Sequence, residues 1–77
     1  MMIKPTVKSL MAEIFEIDEN TIGDDASQKT ISEWDSLQHL NLMVEIEDKF
    51  DVSFEPEEIS GMTTLEKIVD AIQKSRA

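Results

Sequence analysis

Apolar residues recur along this chain with a helical period in three places, and the longest stretch between them has no recognisable period. Val7, Leu10, Met11, Ile14 and Phe15 fall at i, i+3, i+4, i+7 and i+8, one stripe of a helix. Pro5 suits the first turn of such a helix, so a first helix is expected from Pro5 to Ile17. The following segment, DENTIGDDASQKTISEWD at residues 18–35, is rich in Asp, Asn, Ser, Thr and Gly. It reads as a long structured loop pinned by Ile22, Ile31 and Trp34. A second helix is expected from Ser36 to Phe50. Pro56 then starts a short third helix through Glu57, Glu58 and Ile59 that Gly61 ends. Thr63 with Glu66 three residues on makes a capping box for a last helix carrying Leu65, Ile68, Val69 and Ile72. No alternating strand pattern, internal repeat or low-complexity tract is present. The expected fold is all-α: a small antiparallel bundle of three main helices plus one short helix, with the long loop between the first two, in a single domain over residues 1–77.

The second helix has more apolar surface than such a bundle needs. On a wheel of about 100° per residue, Leu42, Met43, Ile46 and Phe50 share one face with His39 beside them. Leu37, Leu40 and Val44 form another stripe, flanked by Asn41, Glu47 and Asp48. Two uses of that stripe stand: packing under the long loop against Trp34 or Ile31, or exposure as an apolar line with an acidic rim that fits a partner helix bearing Arg and Lys.

The start of the same helix poses a second question. Asp35 and Gln38 stand in the N-cap to N3 relation, so Asp35 can accept from the free backbone amides while Gln38 reaches back. Ser36 is then surplus as a cap. It would present its hydroxyl to solvent beside unpaired amides at the positive end of the helix dipole, a favourable place for a phosphate group. Alternatively, Ser36 is itself the N-cap.

Size and charge narrow the chemistry. Seventy-seven residues support one small core and no deep catalytic cleft. There is no cysteine and only one histidine, so neither a thiolate metal site nor an imidazole cluster can be built. The N-terminus lacks the apolar core of a signal peptide and no run is long enough to span a bilayer, so a soluble, cytoplasmic protein is expected. The net charge is −10, and residues 16–58 hold fourteen acids against Lys29 and Lys49. Such an acidic middle repels nucleic acid and anionic membranes and attracts basic proteins. At that charge a monomer is the expectation.

With Asp35-Ser36-Leu37 at this position, the acidic loop before it, IEDKFDV at residues 46–52 and EPEEISGMTTLEKIVDAI at residues 55–72, the chain resembles the acyl carrier protein family over nearly its whole length. The resemblance implies that a phosphopantetheinyl transferase moves 4'-phosphopantetheine from coenzyme A onto Ser36. The thiol of that arm would then carry an acyl or aminoacyl group as a thioester. It also implies that Asp35 helps hold a divalent metal in the transferase complex. Leu37, Leu40, Asn41, Val44, Glu47 and Asp48 match the surface through which the family docks its transferase, its acyl- or aminoacyl-loading ligase and its downstream transferases and synthases. Some positions depart from the family's fatty-acid members: Trp34 precedes the motif, Gln38 follows Leu37 where an acid is usual, and Asn41 replaces another acid. The paired glycines of peptidyl carriers are also absent. These departures imply a standalone carrier in a specialised pathway.

Other readings are weaker on chemical grounds. Asp18 to Gly23 begins like a calcium loop, but Ile22 and Lys29 occupy positions that need oxygen ligands; only weak divalent binding to the acid clusters is expected. His39 lies toward the core side and reads as a half-buried packing residue. The competing function is an acidic helical adaptor or inhibitor that binds a basic partner unmodified, with Ser36 only a cap.

Overall fold

A computed structural model of the chain describes residues 2–76, and the side chains of residues 2–75. Four α-helices follow one another: α1 Ile3–Phe15, α2 Ser36–Phe50, α3 Pro56–Gly61 and α4 Leu65–Arg76. This is the expected bundle of three main helices and one short one. Helix α1 is the hub, packing against both α2 and α4. The core joins Val7, Met11 and Phe15 of α1, Leu42, Met43, Ile46 and Phe50 of α2, and Leu65, Ile68 and Ile72 of α4, each at most 5% exposed. No helix among the described residues is long and apolar enough to cross a membrane.

Helix α1 starts and ends two residues before the expected bounds. Pro5 is its third residue, where a missing N–H removes no intrahelical bond. Thr6 reinforces the start by donating its hydroxyl to the Met2 carbonyl at 2.8 Å. At the other end Glu16 turns left-handed (φ 56°) and the Ile17 N–H returns to the Ala12 carbonyl. Helix α2 ends the same way at Asp51 (φ 55°), with the Val52 N–H bonded to the Glu47 carbonyl. Neither end uses glycine, the residue to which that conformation costs least.

The long connection is ordered by short-range capping and by two backbone bonds to the far end of the chain. Asp18 caps a single 3-10 turn, Glu19–Thr21, by accepting the Asn20 N–H. That use of Asp18 is structural and has no bearing on calcium. Ile22, Ala26, Ile31 and Trp34 are buried, the three expected pins plus Ala26. The Leu65 N–H donates to the Ala26 carbonyl at 2.9 Å and the Gln28 N–H to the Thr63 carbonyl at 3.1 Å, around an isolated bridge between Ser27 and Thr64.

Those bonds shift the cap of α4 by one residue from expectation. Thr64 is the N-cap, its Oγ1 accepting the Lys67 N–H at 3.1 Å. The Thr63–Glu66 capping box does not form, because the Thr63 backbone is committed to pairing with the loop. A capping contact does form before α3, where Glu58 Oε1 accepts the Glu55 N–H at 3.1 Å.

Candidate functional site

The sequence places Ser36 as the first residue of α2, and the structure agrees. Asp35 is the N-cap: its Oδ1 accepts the Gln38 N–H at 2.9 Å. Capping is thereby done, and the Ser36 hydroxyl is exposed with no hydrogen bond among the described residues. A helix leaves its first amides without internal acceptors. Asp35 takes that of Gln38, so Ser36 stands beside donors that an added anion can use.

Gln38 does not reach back to Asp35. Its Nε2 donates to the Ile14 carbonyl at 3.2 Å, and its Oε1 accepts from Asn41 Nδ2 at 2.9 Å. The carbonyls in the last turn of α1 lack intrahelical donors, and a half-buried one beside α2 attracts the amide more strongly than an exposed N-cap N–H. The half of the capping box that Gln38 was expected to supply is thus a tie between α1 and α2.

The second stripe of α2 does not pack under the loop. Leu37, Leu40 and Val44 are 68%, 56% and 63% exposed and, with Met2, are the large exposed hydrophobics among the described residues. Asn41 and Asp48 stand exposed on its flanks. Glu47 differs: it is half-buried, and its Oε2 accepts the Phe54 N–H at 2.8 Å, holding the chain that leads into α3.

His39 is fully buried at 6% exposure, not half-buried, and both ring nitrogens are engaged. The Trp34 indole N–H donates to Nδ1 at 3.0 Å, and Nε2 lies 2.7 Å from the Ile59 carbonyl. Indole nitrogen only donates and a carbonyl only accepts, so the pair of bonds selects a neutral imidazole with its proton on Nε2. Trp34 also stacks at a tilt on Phe15, with ring centroids 5.8 Å apart. This relay links the loop, α2 and α3. It escaped the sequence reading, and the available signal was the indole five residues before the imidazole, a buried donor in need of an acceptor.

A groove of about 450 Å³ begins at Ser36. Leu40, Pro56 and Ile59 line it with Gln28 and Ser60, and the His39 ring belongs to its wall. A depression of about 520 Å³ between α3 and α4 is lined by charged residues such as Glu57, Glu58, Lys67 and Asp70 and touches none of the site residues. The groove at Ser36 is the one of chemical interest. No sequence pattern marked it, because it is made where α3 and the loop approach α2.

Comparison with known proteins agrees with this geometry. The family profile of the phosphopantetheine attachment site matches residues 5–72. The chain is 32% identical over 72 residues to the acyl carrier protein of two strains of Buchnera aphidicola subsp. Acyrthosiphon pisum, covering 94% of this chain and 90% of theirs. It is 32% identical over 79 residues to the acyl carrier protein of Rhodococcus erythropolis, covering 94% of this chain and 87% of that one. The solution structure of holo acyl carrier protein from Geobacter metallireducens superposes with a TM-score of 0.84 at 24% identity, over 97% of this chain and 86% of that one.

Proposed function

Since the chain belongs to the acyl carrier protein family and is a non-catalytic carrier with a phosphopantetheine prosthetic group, we propose that Ser36 is the residue to which that group is attached. The observation that carries this assignment is the exposed, unbonded Ser36 hydroxyl beside an N-cap already supplied by Asp35. A phosphate ester fits there, because it adds negative charge at the amino end of a helix. When bound, phosphopantetheine supplies a thiol that holds acyl or aminoacyl groups as thioesters.

The chain's own contribution is position. In the transfer, Ser36 Oγ loses its proton and forms the phosphodiester bond, and the nucleotide half of coenzyme A leaves. Asp35 keeps the backbone of that position fixed, and its second carboxylate oxygen is the group we assign to a metal contact within the transferase complex. The exposed Leu37, Leu40 and Val44, with Asn41, Asp48 and the half-buried Glu47 at their edge, are assigned to docking. The transferase, the acyl- or aminoacyl-loading ligase and the downstream synthase or transferase would share this surface in turn. Residues 1–77 are taken as one carrier unit, monomeric and cytoplasmic.

Intact mass after incubation with coenzyme A, magnesium and a broad-specificity phosphopantetheinyl transferase tests the assignment. One phosphopantetheine should add to the wild type and none to Ser36→Ala. Addition to the variant, or none to folded wild type, overturns it.

A further inference from the structure

The groove at Ser36 is shallow. Ser36, Leu40, Pro56 and Ser60 of its lining are exposed, and His39 alone is buried. The imidazole therefore forms its inner end, with Trp34 behind it. Because Nε2 is bonded to the Ile59 carbonyl of α3 while Nδ1 accepts from Trp34, the ring is both a plug and a strap that holds α3 against α2. An apolar chain lying in the groove meets Leu40, Pro56 and Ile59. To pass from there into the core it would have to displace the ring.

We propose that His39 is a specificity-determining residue: it closes the inner end of the groove, so the core is shut to the carried group and only a short acyl chain gains shelter. This inference rests on the assignment of Ser36 as the attachment residue. Displacing the ring would leave the Trp34 N–H buried without an acceptor and would take from the Ile59 carbonyl one of its two partners, the Met62 N–H remaining, a larger loss than burial of one or two methylenes returns. A chain longer than the groove thus stays at the surface, in water or against a partner enzyme. A cargo that is short or polar is carried at no disadvantage, since the wall it meets includes the Gln28 and Ser60 side chains.

The test loads the protein from acetyl-, butyryl-, octanoyl- and dodecanoyl-coenzyme A with the same transferase, and reads intact mass, melting temperature and Trp34 fluorescence. Trp34 is the protein's single tryptophan, so its emission reports on the inner end of the groove. For wild type the melting temperature should rise from acetyl to butyryl and then level off, with the emission unchanged across the series. In His39→Ala both the melting temperature and the emission should continue to change through octanoyl and dodecanoyl. His39→Gln, whose amide offers one acceptor and one donor, should return to the wild-type profile. An emission shift that grows with chain length in wild type overturns the inference even if His39→Ala fails to fold, as does a folded His39→Ala with the wild-type profile. Absence of every adduct on wild type defeats the Ser36 assignment, and this inference with it. Adducts present with the wrong profile defeat this inference alone.

Discussion

The two faces of α2 are built from the same residue types and meet opposite fates. On the inner face Leu42, Met43 and Ile46 are at most 1% exposed, while on the outer face Leu37, Leu40 and Val44 are 56–68% exposed. Hydrophobicity alone does not separate them. What separates them is the supply of neighbours: α1 and the core side chains of α4 fill the inner side, and the loop that could have covered the outer side is tied to the start of α4 through Ala26 and Gln28. The inner face stabilises the fold, and the outer face is left for whatever binds it. Apolar area left in water contributes nothing to the isolated molecule, so its retention makes sense as binding surface.

The sharpest break of that comparison is a pair of substitutions. Ile46→Ala on the inner face should lower stability by roughly 2–5 kcal/mol through lost burial and a residual cavity, read as a fall in the urea midpoint. Next in size is Leu40→Asp on the outer face. It should change stability by less than about 0.5 kcal/mol and reduce kcat/KM for modification by the transferase by about tenfold, or about 1.4 kcal/mol. If Leu40→Asp lowers the urea midpoint as much as Ile46→Ala, the outer stripe is core after all and the division of labour fails.

A smaller effect sharpens the comparison at the end where both faces begin. Asp35→Ala removes the acceptor for the Gln38 N–H and should cost about 1 kcal/mol. Ser36→Ala, with no hydrogen bond to lose, should leave the midpoint within about 0.5 kcal/mol of wild type. Reversal of that order would make the serine the cap.

The elements of this fold were legible in the sequence because three of its helices carry uninterrupted apolar stripes. The bounds of α2 followed from periodicity, which also marked its second stripe, while the choice between packing that stripe under the loop and exposing it was settled by the structure. The errors have one physical source, which is contact between distant parts of the chain. Gln38 turned to the Ile14 carbonyl, and the cap of α4 moved to Thr64 once Thr63 paired with Gln28. In both cases the local capping assignment was chemically sound, and a group from elsewhere in the chain was the stronger claimant. The groove and the His39 relay belong to the same class, since they depend on α3 approaching α2. Ser36 was different: the sequence left open whether it or Asp35 caps the helix, and the bond from the Gln38 N–H to Asp35 Oδ1 decides for Asp35.

Charge offers the smallest contrast and a test that isolates it. On the outer face of α2, Glu45 and Asp48 are exposed and form no ion pair among the described residues, whereas Asp24 in the loop meets Lys8 at 2.8 Å and Lys4 at 3.8 Å. The Lys8 hydrogen bond, with the nearby charges of Lys4 and Lys8, holds the Asp24 carboxyl below its ordinary value of 3.8. A lowered folded value means that the unfolded chain binds the proton more readily, so the pair stabilises the fold at and above the ordinary value. The contribution fades as pH falls from there through the lowered one. Asp24→Asn should therefore lower the melting temperature slightly at neutral pH, and the difference should shrink in acid. It should also shrink in concentrated salt, because the Asp24 carboxylate stands exposed at the surface, where ions screen its attraction to the two lysines. Asp48→Asn, which relieves repulsion and breaks no pair, should leave the melting temperature unchanged or raise it. The acids of the outer face would then be destabilising until a basic partner covers them, as expected for charges whose use lies in binding. A fall in melting temperature for Asp48→Asn equal to that of Asp24→Asn would show instead that the rim acids are held by cations of the chain itself and are not free for a partner.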